Sequence, residues 1–310
     1  MAQCSCSAGN SNTGTLSCKQ MIGVARKLIV VQKTDSTGTR NSIDITGSTN
    51  LDQAFFDALV NNSDTSKRWY PLPNVDNVED VTSDPLTETL NSQEVLYIKQ
   101  GIRTWSGVMV QETPKTYGDL VAMQCVDNAV YVIDSEGQLI GEVSSDGTKL
   151  YPLDITKSTW TPSLYYATDT TTQKVGLKFS FNQDIVDENI NMIIPSEMND
   201  VNLLTLNGLL DCETSGSPSA SAGGNTVTAI IQTDFGTAMT HTMVEGLGTD
   251  VTVYNTTTSA AIAITGSTEA TAGHYVFSHG GGVNLNDVLT LAVNKDGYSA
   301  ATIATITAGA

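Results

Sequence analysis

The residues of this chain able to do chemistry are few and badly spaced for it. The histidines, His241, His274 and His279, all lie in the last quarter of the 310 residues. A nucleophilic triad needs a histidine beside a Ser, Thr or Cys and a third group that orients it. No G-x-S-x-G elbow occurs, and His279-Gly280-Gly281-Gly282 has an oxyanion-loop look without the elbow to serve. It reads as a loop histidine beside a glycine turn. Cys4-Ser5-Cys6 and Cys18 supply three sulfurs, but a zinc site needs a fourth ligand, and every histidine is far away. They read as a thiol-bearing arm. Asp184, Asp187 and Glu188 lack the spacing and the glycine of a calcium loop, so a solvated acidic loop is expected. No P-loop, no G-x-G-x-x-G, no H-E-x-x-H and no paired C-x-x-C is present. A carboxylate pair for glycoside hydrolysis needs spatial rather than sequence proximity, and an aromatic content of 6% argues against a sugar-binding cleft. The expectation is a protein without catalytic residues, cofactor or metal.

Composition points the same way. The formal net charge is −18, and the basic pairs Arg26-Lys27 and Lys67-Arg68 are too short to track a phosphate backbone. Such a surface repels nucleic acid and anionic membranes. There is no apolar leader and no run of about 18 apolar residues, so synthesis in the cytosol without a membrane anchor is expected. Five cysteines, an odd number, argue for reduced thiols. Abundant Thr, Ser, Asn and Gly with 15% charged residues suits turn-rich β-sandwiches.

The elements follow from pattern. Residues 1–20 read as an extended polar arm, 21–32 and 40–45 as strands. Leu51, Ala54, Phe55, Ala58 and Leu59 form a helical stripe over 50–60, with Asn50 as cap and Gln53 as its capping-box partner. The prolines in Arg68-Trp69-Tyr70-Pro71-Leu72-Pro73 forbid a central strand, and 74–91 reads as an acidic loop or edge hairpin. The densest run of β-formers is 93–143. It holds strands at 95–99 and 102–111, then Thr113-Pro114 as cap and first residue of a helix with Tyr117, Leu120, Val121 and Met123 inward. Cys125 is placed as a small core residue. A hairpin follows, 126–133 and 138–143, turning at Asp134–Gly137. Strands at 150–155, 160–166 and 175–181 come next, the last alternating Leu177, Phe179 and Phe181 with Lys178 and Ser180. The small-residue stretch 213–224 reads as a linker. Beyond it seven short strands are expected (226–232, 240–245, 250–255, 261–265, 274–278, 288–293 and 300–307), the pattern of a disulfide-free immunoglobulin-like sandwich.

The order of an acidic loop with Asp84-Pro85 and Glu88, a strand at 95–98, Gln100-Gly101, a helix, a hairpin across Asp134–Gly137 and an LKFSF strand at 177–181 resembles the tail tube proteins of long-tailed bacteriophages. More loosely it resembles their relatives in contractile injection systems. The cysteine-bearing arm and the helix at 50–60 are additions to that pattern.

The resemblance implies a mainly β fold: a tail-tube-like β-sandwich or barrel with one or two flanking helices over 21–212, and an immunoglobulin-like β-sandwich over 225–310. It implies a virion structural protein that stacks as hexameric rings around an acidic channel through which DNA passes without specific binding. Its partners would be itself and other tail proteins, with assembly in the host cytoplasm. Trp69, Tyr70, Asp84, Glu88, Val95, Tyr97 and Trp105 are the subunit-contact candidates. The competing expectations are a head-decoration or head-fibre protein, and a carbohydrate- or cell-surface-binding module.

Overall fold

Lys27-Leu28-Ile29-Val30-Val31 is apolar but for its first residue, and every one of the five is buried. A strand buried on both faces needs a layer on each side. The computed structural model, which describes residues 21–47, 49–183, 185, 189–233 and 241–309, supplies both layers.

The chain divides into two compact units, Met1–Gly208 and Leu209–Ala310. In chain order the first contains β1 (Ala25–Gln32), β2 (Ile43–Asp44), α1 (Gln53–Val60), β3 (Tyr70–Pro71), β4 (Asp76–Thr82), β5 (Leu86–Thr89), β6 (Val95–Lys99), β7 (Arg103–Val110), α2 (Pro114–Ala122), β8 (Asn128–Asp134), β9 (Leu139–Val143), β10 (Lys149–Tyr151), β11 (Leu153–Asp154), β12 (Thr161–Tyr165), β13 (Lys174–Ser180) and β14 (Ile190–Ile193). One antiparallel sheet runs β2-β10-β9-β8-β1-β3, with β11 added on β8 and β14 on β9. A four-stranded sheet, β12-β13-β7-β4, packs on one of its faces.

Leu28, Val30, Val130 and Val132 from the first sheet meet Trp105, Met109, Leu177 and Phe179 from the second. Each such side chain, fully buried, contributes about 1.5–3 kcal/mol. The other face carries Ile29 and its cross-strand partner Tyr131. Tyr131 lies 4.9 Å from Trp69, which lies 5.7 Å from Phe56 of α1, so the helix covers this face. Lys27 is the polar exception in β1: its Nζ donates to the Leu204 carbonyl at 2.9 Å, and burial lowers its pKa.

Both helices form where expected, with one change of detail. Thr113 caps α2, its hydroxyl accepting from the Thr116 N–H, and Leu120 is the buried residue. α1 starts later than Asn50: Asp52 is the cap, accepting from Phe55 N–H at 2.9 Å. The Asn50 amide oxygen instead accepts from Asn199. The buried stripe is Leu51, Phe56 and Val60 rather than the five residues expected, so the helix is rotated about its axis. Cys125, placed in the core by the sequence, is exposed beyond the end of α2.

The second unit contains β15 (Cys212–Ala220), β16 (Thr226–Thr233), β17 (Val251–Asn255), β18 (Ala260–Ile262), β19 (Ile264–Thr271), β20 (His274–His279), β21 (Val288–Val293) and β22 (Thr302–Thr307). They make two four-stranded antiparallel sheets, β15-β16-β20-β19 and β18-β17-β21-β22. Val227, Ile231, Phe277, Val253, Leu289 and Leu291 close the core between them. The expected linker at 213–224 is a correction. Most of it is β15, held to β16 by backbone pairing from Cys212↔Thr233 to Ala220↔Val227. The register shifts between Ser215 and Ser219, where Gly216 takes φ +71°. Small side chains suggest flexibility, but the ladder uses only the backbone. The strand expected at 240–245 is not one: 241–245 make a single bridge, Gln232↔Met243, and residue 240 lies outside the described residues.

Candidate functional site

The Asp76–Val110 segment is one long hairpin with two parts. Its lower part is β4 and β7, paired from Asp76↔Val108 to Thr82↔Arg103 and incorporated in the four-stranded sheet. Its upper part, β5 and β6, pairs only with itself. The joint is tight. Ser83 N–H donates to the Ile102 carbonyl at 3.0 Å, and Ile102 N–H to the Ser83 hydroxyl at 2.8 Å. A Cβ on Gly101 would sit 1.7 Å from the Ser83 carbonyl oxygen, so only glycine fits there. Arg103 holds Asp80 across the pair, its Nε donating to Oδ1 at 2.8 Å.

Above the joint every residue from Leu86 to Lys99 is exposed. Residues directly opposite one another share a face. Thr87↔Tyr97 and Thr89↔Val95 therefore make one side, and Glu88↔Leu96 the other. Ile98 alternates onto the Leu96 side. Both sides are apolar: Val95 is 60% exposed, Tyr97 62% and Ile98 52%. The tip closes through Leu90 N–H to the Glu94 carbonyl at 2.8 Å, with Gln93 at φ +66°. A lone two-stranded ribbon is marginally stable in water. A contiguous apolar patch on a monomer's surface marks an interaction site.

Four of the seven contact candidates, Asp84, Glu88, Val95 and Tyr97, lie on this exposed ribbon or at its foot. Tyr70 is half-buried, its hydroxyl donating to the Thr65 carbonyl. Two candidates are corrected. Trp69 is 3% exposed between Phe56 and Tyr131, and Trp105 is 2% exposed and stacked on Phe179 at 5.1 Å. Neither reaches another subunit. The alternation in β7 carries the signal for the second: Trp105, Gly107 and Met109 point inward, with Thr104, Ser106 and Val108 between them. Leu86, Leu90, Leu96, Ile98 and Ile102 were missed as surface residues. Their signal is the unbroken run Val95-Leu96-Tyr97-Ile98, which fits a strand wanted by partners on both faces.

The ribbon leaves a sheet whose ends are unpaired. β12 and β4 are the outer strands of the order β12-β13-β7-β4. Each is partly blunted: β12 contains Pro162, and β4 has a register shift between Asp76 and Glu79 with Asn77 at φ +50°. The solvent face of this sheet is hydroxylated, through Thr104, Ser106 and Ser180, with Lys178 beside Glu79. Acidic residues gather on β4 and the ribbon instead: Asp76, Glu79, Asp80, Asp84, Glu88 and Glu94.

No catalytic constellation assembles among the described residues. His279 is buried at the end of β20, accepting at Nδ1 from Gly281 N–H at 3.2 Å, rather than standing in a loop. His241 Nδ1 lies 2.8 Å from the Thr233 carbonyl. No cluster of three or more His, Cys, Asp or Glu with metal-holding geometry occurs among the described residues. Cys4, Cys6, Cys18, Asp184, Asp187 and Glu188 lie outside them. No described helix is long and apolar enough to cross a membrane. No known family model matches the chain, and no curated protein sequence matches it.

Proposed function

We propose that this chain is a self-assembling structural subunit of a virion, the major tail tube protein of a long-tailed bacteriophage. It acts by packing against copies of itself rather than by catalysis. The observation that carries the reading is the ribbon β5–β6, apolar on both faces and covered by nothing in its own chain. It rises from a sheet with two unpaired edges, and a closed ring removes such edges. The acidic residues of β4 and the ribbon would stand at the subunit contacts and the channel mouth. There they would repel passing DNA rather than grip it.

The second unit supports the companion reading of an immunoglobulin-like module displayed on the tube exterior. Lettered A, B, C, C′, D, E, F and G in chain order, its sheets run A-B-E-D and C′-C-F-G, the immunoglobulin order.

Electron microscopy of the purified full chain at high concentration tests the proposal. Rings or stacked tubes are expected. A chain that stays monomeric, and that is missing from tails and present on heads in virion fractions, would instead be a head-decoration protein.

A further inference from the structure

A groove of about 380 Å³ opens beside the foot of the ribbon. Ile22, Leu153, Phe181 and Ile190 line it with apolar surface, and Gln183 and Arg103 are among its polar residues. No residue from 84 to 99 lines it, so the ribbon does not fill the groove at its own foot. Gly101 belongs to both features, and groove and ribbon are one continuous surface.

The geometry points to a head-to-tail contact: the apolar ribbon of one copy seats in this groove on the next. This rests on the assembly reading above. Three observations select a second copy as the occupant. The ribbon's Val95–Ile98 run offers large apolar side chains on both faces, and the groove is lined by apolar residues of the same kind, with Ile22 itself 53% exposed. The volume is sufficient, since a cavity of about 150 Å³ holds a benzene ring and this groove is larger than two of those. The third is symmetry. Donor and acceptor are different patches of one chain, which makes the contact heterologous, and heterologous contacts close into rings or continue as filaments. A ribbon-to-ribbon contact would be isologous and would stop at a pair.

Two variants separate these cases. Val95→Glu with Tyr97→Glu spoils the ribbon and leaves the groove open. Gln183→Trp fills the groove from an exposed rim position and leaves the ribbon intact, and Thr82→Trp does the same from the opposite strand. Circular dichroism confirms that each is folded. In light scattering behind size exclusion, each variant alone should run as a monomer. A mixture of one ribbon variant with one groove variant should give a pair of twice the monomer mass, one good ribbon in one open groove. If wild type assembles while the mixture stays monomeric, or while both groove variants assemble normally, the groove contact is wrong and self-assembly stands. If wild type itself never leaves the monomer, the assembly reading fails and takes the groove contact with it.

Discussion

Two hairpins of the first unit are built from nearly the same material and meet opposite fates. β8 reads Asn-Ala-Val-Tyr-Val-Ile-Asp, and all seven residues are buried. β6 reads Val-Leu-Tyr-Ile-Lys, and all five are exposed. In β8 the residues Val130 and Val132 face the second sheet, while Tyr131 and Ile133 alternate toward the opposite face, where α1 covers Tyr131 through Trp69. In β6 the same alternation presents Val95 and Tyr97 to one side and Leu96 and Ile98 to the other, with water on both. Apolar strand composition states a need for cover. It does not state whether the cover comes from the same chain or from another.

The sharpest test of that contrast compares the two tyrosines. Tyr131→Ala removes a ring packed on Trp69 and a hydroxyl that donates to the Leu150 carbonyl at 2.9 Å. It should cost about 3–5 kcal/mol, as other large aromatic truncations do, read as a lower denaturant midpoint of the first unit. Tyr97→Ala should change the stability of the monomer by less than about 0.5 kcal/mol yet abolish assembly. A Tyr97→Ala loss as large as that of Tyr131→Ala would mean that the ribbon is packed within its own chain, and the contrast would collapse.

Gly101→Ala should have an intermediate effect. The new Cβ meets the Ser83 carbonyl, so the joint between β4–β7 and β5–β6 must open. Limited proteolysis should then cut between residues 84 and 99, while the core keeps its midpoint to within about 1–2 kcal/mol. Unchanged protease resistance would show that the ribbon is not held at that joint.

The smallest effect concerns two thiols. Cys125 is exposed, whereas Cys212 on β15 is partly covered, and burial raises its thiol pKa to about 11. A raised pKa leaves less thiolate at pH 8, and the thiolate is the reactive form. Peptide mapping after brief alkylation should find Cys125 labelled well before Cys212. Equal rates would contradict the burial of β15 and, with it, its reassignment from linker to strand.

What was legible in the sequence depended on local signals. The Thr113 cap and Pro114 work within one turn, and the Asp134–Gly137 turn works within four residues. Asp134 Oδ1 accepts from the N–H groups of Glu136 and Gln138, both at 2.9 Å. The alternation of Leu177, Phe179 and Phe181 with Lys178 was equally local. The readings that changed all depended on distant partners. Asn50 and Asp52 are both competent caps, and the choice followed from Asn199, 149 residues away in sequence, bonding to Asn50. Trp69 and Trp105 looked like surface anchors because their partners, Phe56, Tyr131 and Phe179, lie elsewhere in the chain.

By itself, then, the sequence determined a mainly β protein, its strand and helix positions to within a few residues, and its lack of recognisable catalytic spacing. Periodicity and capping are properties of neighbouring residues, and they survive without any knowledge of the fold. Only the tertiary structure decided which apolar strands are covered, that 212–220 is a strand rather than a linker, and that the ribbon above Gly101 stands uncovered. Cover is a relation between segments far apart in the chain. The pattern Val95-Leu96-Tyr97-Ile98 carries the demand for it, and the fold reveals that this chain does not meet it alone.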